Sequence, residues 1–245
     1  MLDEAGGFGL FQWFLFYSFI PVNMSTMLLL MSMSFLTKVP AEYFCVNEGQ
    51  TDEFSCTPSD FCAADSGIES FRPNMDLSDS YDNWILRFDL HCASGAKIGM
   101  IGAVPFIGWV ITLTFIPRLS DAYYGRQKLM VVGYLITVLS FTVLLLSTTF
   151  TLLISSMFMM GAMATIRVQV SIVYLYETLK RSDYRYFYTA LAIFEGVSGV
   201  GAALYFKYVS KDAMGLLWCS YFCMVLGFLA SLLYPESPRY LIKSD

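Results

Sequence analysis

The stretch SMFMMGAMATIRVQVSIVYLYETLKRSDYRYFYTALAIFEGVSGVGAALYFKYV, residues 156–209, decides how this chain is read. Two apolar spans flank a short charged turn, Glu177-Thr-Leu-Lys180-Arg181-Ser-Asp183-Tyr-Arg185, and each span carries one charge of its own, Arg167 and Glu195. Arg167 lies ten residues before Glu177, and Glu195 ten residues after Arg185. At ~1.5 Å of rise per residue, both charges sit ~15 Å from the turn, half the depth of an apolar core ~30 Å thick. A charge at that depth is costly in lipid, so it is expected to face a protein interior or a water-filled cavity and to have a partner. Arg167 and Glu195 are therefore candidates for a functional cavity, with three readings open: a buried ion pair, contact of Arg167 with a substrate, or another partner.

The rest of the chain agrees with a membrane setting. Hydrophobic residues make up 56% and charged residues 14% of the sequence, with a mean hydropathy of +0.57, against about 45–50% and about 25% in ordinary soluble domains. The formal charge of −5 and the lack of a basic stripe exclude nucleic acid as a partner. The sequence holds a single histidine, His91, and no HExxH, CxxC, GxSxG or Walker pattern. No catalytic residue, metal site or cofactor is expected, and the chain does not read as an enzyme.

A first apolar run from Leu10 to Leu36 is too long for a removable signal peptide and lacks its basic start. It is read as a first membrane helix, so the sequon Asn23-Met24-Ser25 inside it is accidental. Five further spans are expected at about 96–117, 128–148, 150–176, 186–208 and 213–234, which makes an all-α membrane protein of six helices. The chain divides into residues 1–36 with the first helix, a polar loop over 37–94, and residues 95–245 with the other five helices and a short tail.

The loop carries eleven Asp or Glu against three Lys or Arg, together with Cys45, Cys56, Cys62 and Cys92. Four cysteines outside the membrane allow three pairings and predict two disulfides on an oxidising face. Cys219 and Cys223, one turn apart in an apolar run, are expected to be buried thiols. Basic residues gather in the turns after the second and fourth spans and in the tail, which places those turns on the cytoplasmic or matrix side and the acidic loop outside. In the fifth span Ala192, Gly196, Gly199 and Ala203 form two small-xxx-small pairs, read as a helix-packing stripe.

Several short motifs then resemble one family. Gly7-Phe-Gly9-Leu-Phe-Gln12, Pro40-Ala-Glu-Tyr-Phe-Cys45, Phe88-Asp89-Leu90-His91-Cys92 and Pro235-Glu236-Ser237-Pro238-Arg239-Tyr240-Leu241 resemble, in the same order around six spans, motifs of organic cation and anion transporters within the major facilitator superfamily. The last is shared with sugar porters. The resemblance implies a conformational latch at Asp121, Gly125 and Arg126, and a cytoplasmic motif of Glu177, Arg185, Glu236 and Arg239. The latch departs from the family pattern, with Pro117 for the first Gly and Ala122 for the Arg after the Asp. In the fourth span Met157 stands where the family usually has Arg.

Members of that family have twelve helices in two halves, with substrate bound at the midplane between them. The resemblance therefore implies one six-helix half of a split carrier for a small organic ion or sugar-like solute. The alternative is a transporter-derived structural subunit of a larger membrane complex. The expected partners are the bilayer, a second six-helix half or such a complex, and a small organic solute. The plasma membrane and the mitochondrial inner membrane both fit, and the lack of a usable sequon in the loop leans toward an organelle.

Overall fold

The computed structural model describes residues 9–50, 52–63, 67–120, 125–179 and 181–237. Its helices are α1 (Leu10–Leu36), α2 (Pro58–Phe61), α3 (Trp84–Arg87), α4 (Gly95–Leu113), α5 (Ile116–Leu119), α6 (Arg126–Leu146), α7 (Phe150–Thr165), α8 (Ser171–Thr178), α9 (Arg181–Leu204) and α10 (Ala213–Ser231). Three strands, β1 (Tyr43–Asn47), β2 (Glu53–Cys56) and β3 (Ile68–Pro73), lie between α1 and α3. Among the described residues six helical stretches are long and apolar enough to cross a membrane: Leu10–Leu36, Gly95–Leu113, Arg126–Leu146, Phe150–Thr178, Asp183–Val209 and Ala213–Ser231. The fourth joins α7 to α8 through a π-helical turn, Ile166–Val170, and the fifth ends in a second one, Tyr205–Val209.

Several spans start where a polar group satisfies the first free N–H groups. The Gly9 N–H donates to Gln12 Oε1 at 3.0 Å, which gives Gln12 of the amino-terminal motif a local structural job. Thr149 caps α7 through Leu152 N, and Asp212 caps α10 through Met214 N at 2.8 Å. Helix α1 packs on α9 and α10, α4 on α7, and α6 on both α7 and α10. The α4–α7 crossing is nearly backbone on backbone, because a Cβ on Gly161 would run into the Pro105 carbonyl and one on Gly108 into that of Phe158. Thr112 Oγ1 bonds Ala162 O at 2.8 Å and Thr165 Oγ1 at 2.7 Å across the same seam.

The loop between α1 and α4 carries the two expected disulfides, paired Cys45–Cys56 and Cys62–Cys92. It also holds an antiparallel sheet in the order β2-β1-β3, which its polar composition did not announce. A small core of Tyr43, Cys45, Cys56 and Phe61 lies under it. Residues 75–90 then strap the loop to its end of the bundle. Asn83 Nδ2 donates to Phe35 O and Lys38 O, both at 2.8 Å, closing α1. Arg87 reaches Leu145 O and Ser147 O in the α6–α7 turn, and Asp82 exchanges backbone hydrogen bonds with the α9–α10 turn.

Two expectations need correction. Cys219 is exposed and Cys223 only half-buried, since an apolar run in a membrane helix meets lipid as readily as protein core. Of the four small residues of the expected stripe, only Gly199 packs within the chain, with its missing Cβ 3.1 Å from Met31; Ala192, Gly196 and Ala203 are exposed. The sequon residues are helical and engaged, with Asn23 Nδ2 on Phe19 O and Ser25 buried.

Candidate functional site

Arg167 sits in the π turn between α7 and α8, a wider turn that often marks functional positions in helices. Its side chain is 6% exposed. Nη1 donates to Thr26 Oγ1 on α1 at 3.1 Å and Nη2 to the Met160 carbonyl at 3.0 Å, while Nε is buried with no acceptor. Thr26 passes its own proton to Val22 O at 3.1 Å, which leaves its oxygen lone pairs to the arginine. The guanidinium is thus held by neutral oxygens alone.

Beside it lies a cavity of about 90 Å³ between α1, α4 and α7, walled by Thr26, Phe106, Trp109, Met160 and Arg167. Trp109 Nε1 is a second buried donor in this wall without an acceptor. Met157, at the position where the family usually places Arg, is buried in the same wall. Neither Thr26 nor Trp109 stood out in the sequence, because a threonine in an apolar run or a tryptophan in a membrane helix is ordinary. Only the turn of each helix about its axis brings them here.

Glu195 does not join this group. It is half-buried on α9, and no ion pair links it to Arg167 among the described residues. Equal depth places two residues on the same level, whereas the rotation of α9 decides which way its side chains face. The side of α9 that holds Glu195 is divided: Leu191, Ser198 and Ala202, one and two turns away, are buried, whereas Ala192 and Gly196 on its flank are exposed.

At the bundle end opposite the disulfide loop, a second cluster gathers residues that the motifs placed in two separate groups. Arg126 Nη2 pairs with Glu177 Oε1 at 2.8 Å, with both residues buried. Ser237 Oγ donates to the other Glu177 oxygen at 2.6 Å. Glu236 Oε1 accepts from Arg126 N at 2.9 Å, Gln127 N at 3.1 Å and Ser237 N at 3.0 Å. A carboxylate therefore caps the amino terminus of α6, where the helix dipole favours negative charge. Gly125 makes this approach feasible, since its φ is +78° and a Cβ there would lie 2.6 Å from Glu236 Oε2. Tyr174 OH completes the end with a 2.8 Å hydrogen bond to Pro235 O. Arg185 lies exposed on α9. Asp121 of the latch and Arg239 of the cytoplasmic motif lie outside the described residues.

The family model described as sugar (and other) transporter matches residues 32–245 of the chain. No curated protein matches it.

Proposed function

The chain belongs to the sugar (and other) transporter family of the major facilitator superfamily, and from that premise we propose that its six spans act as one half of a carrier for small organic ions or sugar-like solutes. Residues 37–94 form the outer loop between the first helix, within 1–36, and the remaining five, within 95–245. The disulfides support a loop on the oxidising side of a plasma or mitochondrial inner membrane, and the basic turns support the opposite side for themselves.

The observation that carries this reading is the half-buried Glu195 at mid-span on α9. An acidic side chain there costs about 2.5–3.5 kcal/mol in lipid, and it lies on a face whose small residues Ala192, Gly196 and Ala203 are open to close approach. A second six-helix body on this face, with water between the two halves, relieves that cost and creates a midplane site of the kind such carriers use. The buried Met157 in place of the family's arginine favours the second reading, a non-transporting subunit of a larger membrane complex.

Extraction in mild detergent, identification of what stays bound, and reconstitution of that whole assembly into vesicles test the proposal. Saturable uptake of a labelled hexose, organic cation or organic anion, weakened in Glu195→Gln, supports a carrier half. Recovery within a large complex with no uptake of any of the three overturns it in favour of the structural subunit.

A further inference from the structure

The loop over residues 37–94 is acidic, with eleven Asp or Glu against three Lys or Arg, yet one groove at its edge has the opposite sign. The groove runs between residues 78–81 of the strap and the outer end of the fifth span, residues 203–211, and encloses about 620 Å³, within the size range of small-molecule sites. Phe35, Tyr81 and Phe206 pack together along it, with ring centroids between 4.5 and 5.4 Å apart. Asp79, its only carboxylate among the described residues, is already met by Lys38 at 3.0 Å. Lys207 is exposed, with its ammonium 5.0 Å from the ring centre of Tyr208. Lys211 Nζ donates to Met75 O and Leu77 O, both at 2.7 Å. Neither lysine has a carboxylate partner among the described residues, so two positive charges lie on the groove without a counter-charge.

Depth places this charge at the level of lipid headgroups. Lys207 lies twelve residues beyond the mid-span Glu195, ~18 Å by helical rise, which is just outside an apolar core ~30 Å thick. Tyr208 and Val209 beside it are 69% and 73% exposed, as befits residues at a membrane interface. Toward the midplane, Leu204 and Val197 continue an exposed apolar surface on the same helix.

We infer that the groove holds the headgroup phosphate of an anionic phospholipid, with Lys207 as its main contact and the charge of Lys211 behind it. The bonds from an ammonium to phosphate oxygens are the strong, charge-assisted kind. Two hydroxyls on the lining add donors: Ser78 is exposed, and Ser210 Oγ accepts from Asp212 N at 3.0 Å, which leaves its own proton to give. Because Asp79 is engaged by Lys38, nothing on the lining awaits the ammonium of a zwitterionic headgroup, and an anionic one is preferred. A soluble phosphate ester offers the same oxygens, but only a lipid also covers Val209, Leu204 and Val197 with its chains. The site stands apart from the carrier reading, since a carrier half and a structural subunit both present this edge to the membrane surface.

The test is native mass spectrometry of the full chain in mild detergent, with dioleoyl phosphatidylglycerol, dioleoyl phosphatidylcholine or dioleoylglycerol added. Phosphatidylglycerol should stay bound as a single copy and the other two far less. Lys207→Gln should weaken it by about fivefold, the weight of one lysine near an anionic lipid surface, and Lys207→Glu by more. Lys97→Gln removes another exposed lysine on the loop side of the bundle and should leave binding unchanged. Retention of either other lipid equal to that of phosphatidylglycerol overturns the inference, because the phosphate charge would then not be what is read. Equal losses in Lys97→Gln and Lys207→Gln also overturn it, in favour of diffuse attraction to the surface. Glycerol 3-phosphate separates the two sources of phosphate: displacement of the lipid at comparable concentration overturns the lipid assignment in favour of a soluble ester, and failure to compete upholds it. Uptake of solutes by the reconstituted assembly is a separate readout, so loss of this site and loss of the carrier reading are told apart.

Discussion

Two arginines of this chain are buried to nearly the same degree, Arg126 at 8% and Arg167 at 6% exposure, yet they solve the cost of burial in opposite ways. Arg126 has a carboxylate, Glu177, at 2.8 Å, itself held by Ser237. Arg167 has a hydroxyl and a carbonyl, both neutral. The first arrangement is closed, since the opposite charge lies within the chain. The second is open, and it occurs at the depth where carriers of this family bind their solutes. Burial alone therefore says little about the role of a charge in a membrane protein; whether its counter-charge is built in says more.

The largest effect is expected at the closed site. Arg126→Leu leaves Glu177 buried without its cation and should cost about 3–5 kcal/mol of stability, read as loss of monodisperse protein on heating in detergent. The double variant Arg126→Leu with Glu177→Leu should recover much of that loss, because matched apolar groups replace a buried pair at little net cost. A double variant as unstable as the single one would mean that the pair is not what holds this end together. Next in size is Gly125→Ala. It forces an L side chain into positive φ and against the Glu236 carboxylate, and about 1–2 kcal/mol should be lost.

Arg167 tests the contrast from the other side. In Arg167→Met two hydrogen bonds to neutral acceptors disappear, but so does an uncompensated charge, and the two effects oppose each other. The change in stability should stay within about 1 kcal/mol, measured by the same melt. A loss as large as that of Arg126→Leu would show Arg167 to be closed as well, with a counter-charge supplied by the fold.

How far this contrast could be read in the sequence depends on which coordinate is asked for. Depth along a span follows from counting residues, so the six helices, the mid-span level of Arg167 and Glu195, and the even set of loop cysteines were all legible. Rotation about the helix axis was not. Membrane spans are apolar on every side, because lipid and protein core attract the same residues, and no polar face marks the outside. Cys219 therefore looked buried and is exposed, and Glu195 looked like a partner for Arg167 and turns elsewhere. The π turn at Ile166–Val170 compounds this, since it alters the helical phase at the residue in question. In the loop, short strands of four to six residues rich in polar side chains carried no clear alternation, whereas the disulfide pairing is a matter of topology that spacing leaves open.

A third buried basic group, His91, sharpens the comparison, because it has a response that arginine lacks. It lies in the disulfide loop, 9% exposed at its side chain, with Nδ1 2.9 Å from Tyr43 OH and its nearest carboxylate, Asp89, at 3.8 Å. Burial lowers its pKa below the usual histidine value, outweighing the opposite pull of Asp89. Burial also pushes the Tyr43 hydroxyl up to about 12, so it keeps its proton across the whole range of interest. A histidine whose folded pKa is depressed binds fewer protons in the folded loop than in the unfolded one, so stability rises with pH across the interval between the two values. The contribution is complete above the unfolded value of ~6.5 and is lost as pH falls through the folded one. The loop should therefore loosen on acidification below about pH 6.5, seen as faster amide exchange in β1 and β3, and His91→Phe should flatten that dependence by removing the titrating group. Exchange that slows on acidification, after correction for its intrinsic rate, would mean that the protonated ring is the better bound form. Asp89 would then act toward His91 as Glu177 does toward Arg126.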